Sequence, residues 1–469
     1  MPFAKVKLDP FTKHLLICLV TGFLLRVIFI HQAMRYDESF TFLIYVNKSL
    51  DLSLYYSAPN NHIFHTLLAK VFINLFGPYP WVLRIPVLIA GTIMVSLAGI
   101  LGKVLFDKKT GIIFAYIVAC FPYFILYSTN ARGYIIMTCF VMLSTINLVQ
   151  YFKRQRNREL LFLVLNGALG LWTVPSMAFF LAGLYLFAFY NVFKGESKRE
   201  EFSKILLTGL LTVILTLLLY YPVAYHSGGY KAIYANKYVS PQSWSTFFRQ
   251  LPSHLTDTLL LQFRGFPLIF FVMLGFVLVM ELFKSYKNKE EKGGRLLLFL
   301  LLGSAALLLI THRIPYPRTW IFILPFILLI VSKLLNNFTG QPNKIWFLYG
   351  IFALQCFHLF FYRPIDKFSD TGLFPEIKII AESIVPELSK EDKVNISLPG
   401  NFSFFYYRWF HSQRTDVQKK QLVKGDAIFQ YFILRNGFET MPEGIDKKQM
   451  EKVYLSELVS VYRVPWKKY

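Results

Sequence analysis

Arg35-Tyr36-Asp37-Glu38 stands just past the end of the first apolar run, and it opens the stretch from Ile30 to Gly77 that decides the fold. An acidic pair in this position lies at the mouth of the membrane, outside the hydrocarbon. Further on, apolar residues recur every three or four positions from Ile63 to Phe76, so they share one helical face. This segment is shorter than the roughly 20 residues needed to cross a bilayer. We therefore predict that it is a helix lying in the membrane interface.

The composition of the chain is that of a membrane protein. Of its 469 residues, 55% are hydrophobic and 18% are aromatic, and the mean hydropathy is +0.45. Apolar runs alternate with charged clusters, as in proteins that cross the membrane many times. A net charge of +23 would suggest nucleic acid for a soluble protein, but the basic residues here cluster between apolar runs. They therefore set the topology and contact membrane lipids, and we expect no nucleic-acid partner.

The apolar runs predict about eleven transmembrane helices. They lie at about residues 14–30, 81–106, 110–127, 134–151, 202–221, 266–283, 296–310, 319–335 and 345–361, with two more between 160 and 193. The last two are separated by Trp172-Thr173-Val174-Pro175-Ser176, because proline lacks the donor that a continuous helix needs.

This assignment puts every strong Lys/Arg cluster between spans on one side of the membrane. Counting residues 61–77 as a span would move each later cluster to the wrong face, so the positive-inside rule supports the interfacial helix. Lys5, Lys7 and Lys13 precede the first span, which indicates a retained anchor with a cytoplasmic N-terminus. We expect a multi-pass protein of the plasma (inner) membrane.

The chain divides into two predicted domains. Residues 1–361 form the transmembrane module, with a first outer loop at 31–80 that carries the acidic motif and the amphipathic helices. Residues 362–469 are richer in charge, with strand-like stretches near 394–398 and 427–434 and an amphipathic helix at about 375–388. The predicted fold is thus an all-α polytopic membrane protein with a small α/β C-terminal domain on the extracytoplasmic face.

The same topology brings ionisable residues from distant loops to the outer face. They include Asp37, Glu38, His62, His65, Lys70, Arg84, Arg132, Tyr134, Arg313 and Arg318. A carboxylate pair among arginines at an apolar interface suits the transfer of a sugar from a lipid phosphate. One carboxylate would take a proton from an acceptor hydroxyl, while arginines would stabilise the departing phosphate.

These residues also carry a family resemblance. Asp37-Glu38 resembles the acidic motif in the first outer loop of the GT-C glycosyltransferases, in particular the branch of protein O-mannosyltransferases and aminoarabinose transferases. Asn60-Asn61-His62 opening an amphipathic helix, Ala131-Arg132-Gly133-Tyr134 after span three, and Tyr316-Pro317-Arg318 before span ten are similar to further motifs of that branch. The resemblance extends over roughly residues 10–360.

The resemblance implies a polyprenyl-phosphate-linked sugar donor and an inverting transfer of a hexose or pentose on the outer face. It implies Asp37 as the base, with Glu38 supporting it or orienting the acceptor. It also implies that Arg132 and Arg318 bind the phosphate or organise the site. Lys70 is a further candidate for the donor phosphate, although contact with lipid headgroups is the alternative interpretation. The candidates for acceptor binding or site shaping are His62, His65, Tyr134, Arg84 and Arg313.

Two features set limits on this resemblance. Relatives often have proline after the position of His62, where this chain has Ile63, and the loop at about 222–260 is too short for the β-trefoil of eukaryotic O-mannosyltransferases. The chain therefore resembles a bacterial enzyme that modifies lipids or glycans.

His62 and His65 lie three residues apart, but no third ligand accompanies them, and Cys18, Cys120, Cys139 and Cys356 form no Cys-x-x-Cys pattern. We expect no metal and no cofactor.

A second class of function stays open, namely a transporter or flippase of a lipid-linked saccharide. Such a protein would carry charged or broken-helix sites near mid-membrane, often with internal repeats. The ionisable residues here gather at one face, with Arg26 in span one as the main exception. A non-catalytic protein of the same fold is a third possibility, and the acceptor could be a glycolipid, a glycan or a protein.

Overall fold

A bundle of apolar helices makes up most of the molecule. The structure, a computed structural model, describes residues 8–195, 198–235, 240–264, 266, 268–287, 292–338, 345–389, 391–414, 427–437, 439–442, 445 and 450–468. The helices are α1 (Pro10–Phe29), α2 (Tyr36–Thr41), α3 (Leu50–Leu54), α4 (Ile63–Phe76), α5 (Pro80–Leu83), α6 (Ile85–Leu105), α7 (Lys108–Cys120), α8 (Pro122–Ser128), α9 (Tyr134–Arg154), α10 (Asn157–Thr173), α11 (Met177–Lys194), α12 (Lys198–His226), α13 (Lys231–Tyr234), α14 (Trp244–Gln262), α15 (Leu268–Lys287), α16 (Lys292–Thr311), α17 (Leu324–Phe338), α18 (Ile345–Tyr362), α19 (Ile377–Ile384) and α20 (Gly400–Arg414).

The chain is a multi-pass membrane protein, because six of the described helices are long and apolar enough to cross a membrane. They are α1, α6, α9, α11, α12 and α16, and the bent pair α7–α8 would make a seventh. Each of the eleven predicted spans overlaps a helix, the one at 110–127 being divided between α7 and α8, but the count of eleven spans is not confirmed. The sequence interpretation also missed α14, which occupies a stretch predicted to be loop.

The break between α7 and α8 explains the charged residue inside the first span. Pro122 has no N–H, so the carbonyl of Val118 loses its helical partner and the axis bends by 62°. Arg26 of α1 is fully buried and donates to the carbonyls of Val118 and Ala119 at 3.3 and 3.1 Å. Its Nε donates to Ser128 Oγ at 3.0 Å. Arg26 therefore donates hydrogen bonds to main-chain carbonyls at the point where the helix is broken.

Helix α4 has the length expected of an interfacial helix, but its two faces are arranged in an unexpected way. His65 and Thr66 are buried against the protein, whereas Val71, Leu75 and Phe76 are more than half exposed. An apolar face turned outward suits a lipid environment, in which apolar side chains gain nothing from being buried in the protein. The buried face of α4 therefore combines His65 and Thr66 with the apolar residues Ile63, Ala69 and Ile73.

The C-terminal region forms a small mixed α/β unit, as the sequence predicts. Its strands are β1 (Lys393–Ile396), β2 (Ala427–Arg435), β3 (Glu451–Leu455) and β4 (Val459–Lys468), paired in the order β1-β2-β4-β3. β1 pairs with β2 in parallel, while β4 is antiparallel to both β2 and β3. Helices α19 and α20 pack together beside this sheet.

This C-terminal unit packs directly on the first loop of the bundle. The rings of Tyr406 and Trp409 of α20 lie 5.0 and 4.9 Å from Phe42, which directly follows α2. Tyr407 Oη accepts a hydrogen bond from the amide of Met34 at 3.0 Å, and Tyr406 Oη donates to the carbonyl of Pro78 at 2.8 Å. The loop with the acidic pair is therefore held between the bundle and the C-terminal unit.

Candidate active site

The acidic pair lies on the first turn of α2, where the helix dipole favours negative charge. Glu38 reaches back to the amide of Arg35, the N-cap residue, and accepts a hydrogen bond from it at 3.0 Å. This return contact is half of a capping box, and it fixes the direction in which α2 begins. The two carboxylates are consequently sent to different sides of the helix.

Glu38 is fully buried and has no free lone pair. Arg84 donates to both of its oxygens, at 2.8 Å from Nε and 2.7 Å from the terminal nitrogen, and the amide of Ala131 donates at 2.7 Å. Burial alone would raise the pKa of Glu38, but the charge of Arg84 and these hydrogen bonds outweigh it, so the pKa is lowered. Arg84 also donates to the carbonyls of Ile30 and Gln32. The pair thus ties the end of α1 to the start of α6.

Asp37 is also buried, with 7% of its side chain exposed, but its surroundings are less saturated. Its Oδ1 accepts a hydrogen bond from the side-chain amide of Asn60 at 3.0 Å. Its Oδ2 lies 3.2 Å from a terminal nitrogen of Arg318 in an ion pair. Among the described residues, no hydrogen-bond donor with acceptable geometry reaches Oδ2. Oδ2 of Asp37 is therefore a buried oxygen whose one close partner among the described residues is the Arg318 guanidinium.

Arg318 is shared between two carboxylates. Its second terminal nitrogen lies 3.4 Å from Oδ1 of Asp370, and its Nε donates to Tyr134 Oη at 3.1 Å. Burial alone would lower the pKa of Arg318, but Tyr134, Asp37 and Asp370 outweigh it and raise that pKa well above its usual value. Asp370 also accepts a hydrogen bond from Tyr127.

Asp370 comes from the segment that follows α18, Pro364–Gly372, which we call the strap. Arg35, itself fully buried, donates to the strap carbonyls of Ile365, Phe368 and Asp370 at 3.0, 2.6 and 2.8 Å. The strap therefore lies against the start of α2 through main-chain contacts.

A second set of contacts fixes the end of the strap. The amide of Asp37 donates to the carbonyl of Thr371 at 3.2 Å, and that of Tyr36 donates to Gly372 at 2.9 Å. Thr371 has a φ of 64°, which costs about 1–3 kcal/mol for a residue that is not glycine. A Cβ at Gly372 would lie 2.5 Å from Tyr36 Cβ, so only glycine fits there. The strap thus holds a strained conformation directly beside Asp37.

Arg132 and His62 contact each other, and Arg132 is linked to Asp37 through Asn60. Arg132 donates to Thr41 Oγ1 at 2.9 Å and to the carbonyl of Asn60 at 2.7 Å, so it holds the residue that bonds Asp37. The amide of Gly133 donates to His62 Nδ1 at 2.7 Å, which puts the proton of a neutral ring on Nε2. Arg132 lies 3.2 Å from that Nε2, so two donors face each other.

The remaining predicted site residues take different positions. His65 is fully buried, and burial together with the charge of Arg132 lowers its pKa to about 3. Lys70 donates instead to the main-chain carbonyls of Val46 and Lys48, and none of its described contacts is with the residues around Asp37. Arg313 contacts the carbonyl of Tyr234 at the edge of the cavity. The structure therefore gathers Asp37, Glu38, His62, Arg84, Arg132, Tyr134 and Arg318, and leaves Lys70 outside.

A cavity of about 350 Å³ opens beside this cluster. His62 and Tyr134 lie on its wall toward Asp37, and Arg313 lies elsewhere on its lining. The rest of the lining is mainly apolar, with side chains such as Val174, Phe179 and Leu307. Apolar lining with a few polar groups on one side is typical of a binding site for an amphipathic ligand. Within the described residues no group of three His, Cys, Asp or Glu is placed to hold a metal ion.

Sequence reasoning missed Asn60 and Asp370 as members of the site. Asn60 was noted only as part of a motif, although its side-chain amide donates a hydrogen bond to Asp37. Asp370 stands shortly after the last apolar run, just as Asp37 stands shortly after the first. The rule that singled out Asp37, an acidic residue just beyond a span on the predicted outer face, could therefore have found Asp370.

The class of the fold follows from solved structures. ArnT from Cupriavidus metallidurans in the apo state has a similar fold, with a TM-score of 0.59 at 11% identity over 96% of this chain and 97% of that chain. ArnT bound to undecaprenyl phosphate gives 0.57 over the same shares. The Archaeoglobus fulgidus oligosaccharyltransferase tethered with an acceptor peptide gives 0.50 at 13% identity, over 85% of this chain and 59% of that chain. The chain therefore has the GT-C fold.

A family model narrows this class. Residues 60–226 match the family described as dolichyl-phosphate-mannose-protein mannosyltransferase. No curated protein matches the chain. The matched region begins at Asn60 and includes Arg84, Arg132 and Tyr134. The fold and this match together confirm the resemblance seen in the sequence.

Proposed function

We propose that this protein is a membrane glycosyltransferase, which moves a sugar from a polyprenyl-phosphate donor to an acceptor hydroxyl with Asp37 as the general base. The observation that carries the proposal is the state of Asp37. Its carboxylate is buried and charge-paired with Arg318, and no donor with acceptable hydrogen-bond geometry among the described residues satisfies its Oδ2. A base held in this way contributes roughly 100- to 10,000-fold to the rate of such a reaction.

The reaction is a single displacement at the anomeric carbon. Asp37 takes the proton of the acceptor hydroxyl as the acceptor oxygen forms its bond to that carbon. The bond from the carbon to the phosphate oxygen breaks at the same time, and the phosphate leaves with the electron pair. Attack from the face opposite the phosphate inverts the anomeric centre. The product phosphate is stable as an anion, so no separate general acid is required.

The donor phosphate would lie near His62 and Arg132, at the wall of the cavity. His62 Nε2–H and the Arg132 guanidinium are donors that face each other at 3.2 Å, an unfavourable contact unless an acceptor lies between or beside them. A phosphate oxygen is such an acceptor. The apolar part of the cavity, toward Val174 and Leu307, would then take the first units of the lipid chain.

The solved ArnT bound to undecaprenyl phosphate supports a polyprenyl phosphate as the donor lipid. The basic clusters between spans support a site on the extracytoplasmic face of the plasma membrane. The sugar and the acceptor, whether glycolipid, glycan or protein, are left to the experiment below. Glu38 supports Asp37 by holding the end of α1 against α6 through Arg84.

A transporter or flippase is less favoured by the contacts of Arg26. This residue was the main candidate for a charged site within the membrane, but its hydrogen bonds go to Gly22, Val118, Ala119 and Ser128 of the protein itself. A side chain so engaged repairs a broken helix rather than lining a transport path.

Reconstitution tests the proposal. Wild type and Asp37→Asn are placed in liposomes with a panel of polyprenyl-phosphate sugars and total envelope extract, and mass spectrometry follows donor loss and product gain. We expect wild type to consume one donor and Asp37→Asn to lose the activity by at least about 100-fold. Asp51→Asn serves as the matched control, because Asp51 is an exposed carboxylate of the same loop.

Two results would overturn this assignment. Full activity of Asp37→Asn would remove the base. Movement of the donor between leaflets without its consumption, by wild type and variant alike, would establish the transporter instead.

A further inference from the structure

Asp370 is a buried carboxylate of the strap to which the reaction as described gives no role. Only 8% of its side chain is exposed. Its Oδ1 lies 3.4 Å from Arg318 and accepts a hydrogen bond from the amide of Thr371 at 2.9 Å, while Oδ2 is bonded by Tyr127. Every described contact of this carboxylate therefore serves to hold it against Arg318 at a fixed position.

The strap, which follows α18 at the end of the helical bundle, brings Asp370 into the site. Arg35 and the first amides of α2 hold the strap, and Asn130 donates to Thr371 Oγ1 at 2.7 Å. These anchors lie on the same helix turn as Asp37 and on the loop before α9. A displacement of the strap would thus change the surroundings of Asp37 and Arg318 together.

The charges around Asp37 indicate why a second carboxylate is needed. With Arg318 alone, Asp37 would face a full positive charge that stabilises its ionised form and weakens it as a base. Asp370 offsets part of that charge through the other nitrogen of the same guanidinium. The elements packed around Asp37 carry further titratable or charged groups, namely Arg35, Tyr36, Glu38, His62, His65, Arg84, Tyr127, Arg132, Tyr134, Asp366 and Lys367.

We propose that Asp370 is a positioning residue, which orients Arg318 and balances its charge so that Asp37 keeps the basicity the reaction needs. This inference rests on the proposed function. It also makes the strap, and through it the junction with the C-terminal unit, a part of the active site. The contacts that carry it are the two carboxylates on one guanidinium and the six main-chain and side-chain bonds that fix the strap.

The test is the pH dependence of kcat/KM for the full-length protein in liposomes, with the donor found for wild type. We expect Asp370→Asn to lower kcat about tenfold and to move the acid-side midpoint to lower pH by about half a unit to one unit. Loss of a neighbouring negative charge favours ionised Asp37, which gives this sign. Asp370→Glu, which keeps the charge, should return the midpoint toward that of wild type.

Asp366→Asn is the matched control. Asp366 belongs to the same strap, but its partner is the half-exposed Arg363, 2.6 Å away. We expect its pH profile and rate to equal those of wild type. A lower rate of Asp370→Asn with an unmoved midpoint would overturn the inference, since that pattern reports only a structural loss, and unchanged activity would overturn it as well. Both results leave the proposed function standing, whereas an inactive wild type removes both.

Discussion

The region around Glu38 and the region around Asp37 start from neighbouring residues and differ in almost every physical respect. Glu38 is fully buried, its charge is matched by one arginine, and four hydrogen bonds use both of its oxygens. Asp37 has one hydrogen bond, shares its arginine with a second carboxylate, and lies behind His62 at a cavity. Both oxygens of Glu38 are fully hydrogen-bonded, whereas one buried oxygen of Asp37 has no well-aligned donor among the described residues.

This difference indicates a division of labour within a single helical turn. A saturated ion pair between Glu38 and Arg84 can fix the relative positions of α1, α2 and α6 but cannot accept another proton without losing a bond. An unsaturated carboxylate can accept one, provided that the saturated neighbour holds the backbone still. Sequence alone could not separate the two roles, because both residues are acidic and both follow the same apolar run.

Neutralising the two carboxylates in turn is the strongest test of this division. We expect Glu38→Gln to destabilise the protein by about 3–5 kcal/mol, because Arg84 is left buried without its partner charge. Asp37→Asn should change stability by about 1 kcal/mol or less, since Arg318 retains Asp370. Thermal unfolding in detergent, followed by the intrinsic fluorescence of the tryptophans, measures the difference. Equal losses of stability in the two variants would contradict the division.

Activity of the folded fraction sharpens the same comparison. Glu38→Gln protein that survives purification should retain part of its turnover, whereas folded Asp37→Asn should have none above background. The double variant Glu38→Gln with Arg84→Met supplies the control, because it removes both charges of the pair and leaves no buried cation. Its stability should exceed that of Glu38→Gln alone.

Much of the helical framework could be predicted from the sequence, because long apolar runs bounded by basic clusters allow few topologies. The sequence alone did not predict the break at Pro122, nor which face of α4 is buried against the protein. Periodicity identifies a helical face, but it does not say which face meets the protein, and the structure buries His65 and Thr66.

The site was predictable to the extent that topology decides which residues meet. Asp37, Arg132 and Arg318 belong to distant loops that the alternation of spans brings to one end of the bundle. Lys70 shows the limit of this reasoning, since its position on α4 carries its ammonium to the carbonyls that follow α2. The contact of Asp370 with Arg318 depends on how the strap folds back, which no local pattern in the sequence specifies.

The dependence of the protein's stability on pH gives a further comparison, with a smaller expected effect. Burial, aided by the charge of Arg132, holds the pKa of His62 well below its usual value and lowers that of His65 to about 3. Between pH 6.5 and about 3 the unfolded chain therefore binds more protons than the folded protein, and stability falls as the pH is lowered. The lowered pKa of Glu38 stabilises the fold above about pH 4.5, and this contribution is lost only as the pH falls below that value.

Unfolding midpoints measured between pH 7 and pH 5 would isolate the histidines, because Glu38 stays ionised throughout that range. We expect His65 to remove about 2 kcal/mol of stability by pH 5. His65→Gln, which cannot titrate, should therefore show a flatter dependence than wild type. The same slope in both proteins would mean that His65 takes up its proton over the same pH range in the folded and unfolded states.

The smallest expected effect concerns Arg132, which could either bind the donor phosphate or position Asp37. If it holds the donor phosphate with His62, Arg132→Ala should raise the KM for the donor about tenfold and leave acceptor preference unchanged, a loss of about 1.4 kcal/mol. If it acts only through Asn60 on Asp37, kcat should fall while the donor KM stays constant. Asn60→Ala is the matched control, since it removes the contact with Asp37 and leaves the guanidinium in place. A donor KM that rises in Arg132→Ala but not in Asn60→Ala would assign Arg132 to the phosphate, whereas a lower kcat with an unchanged donor KM in both variants would assign it to the base.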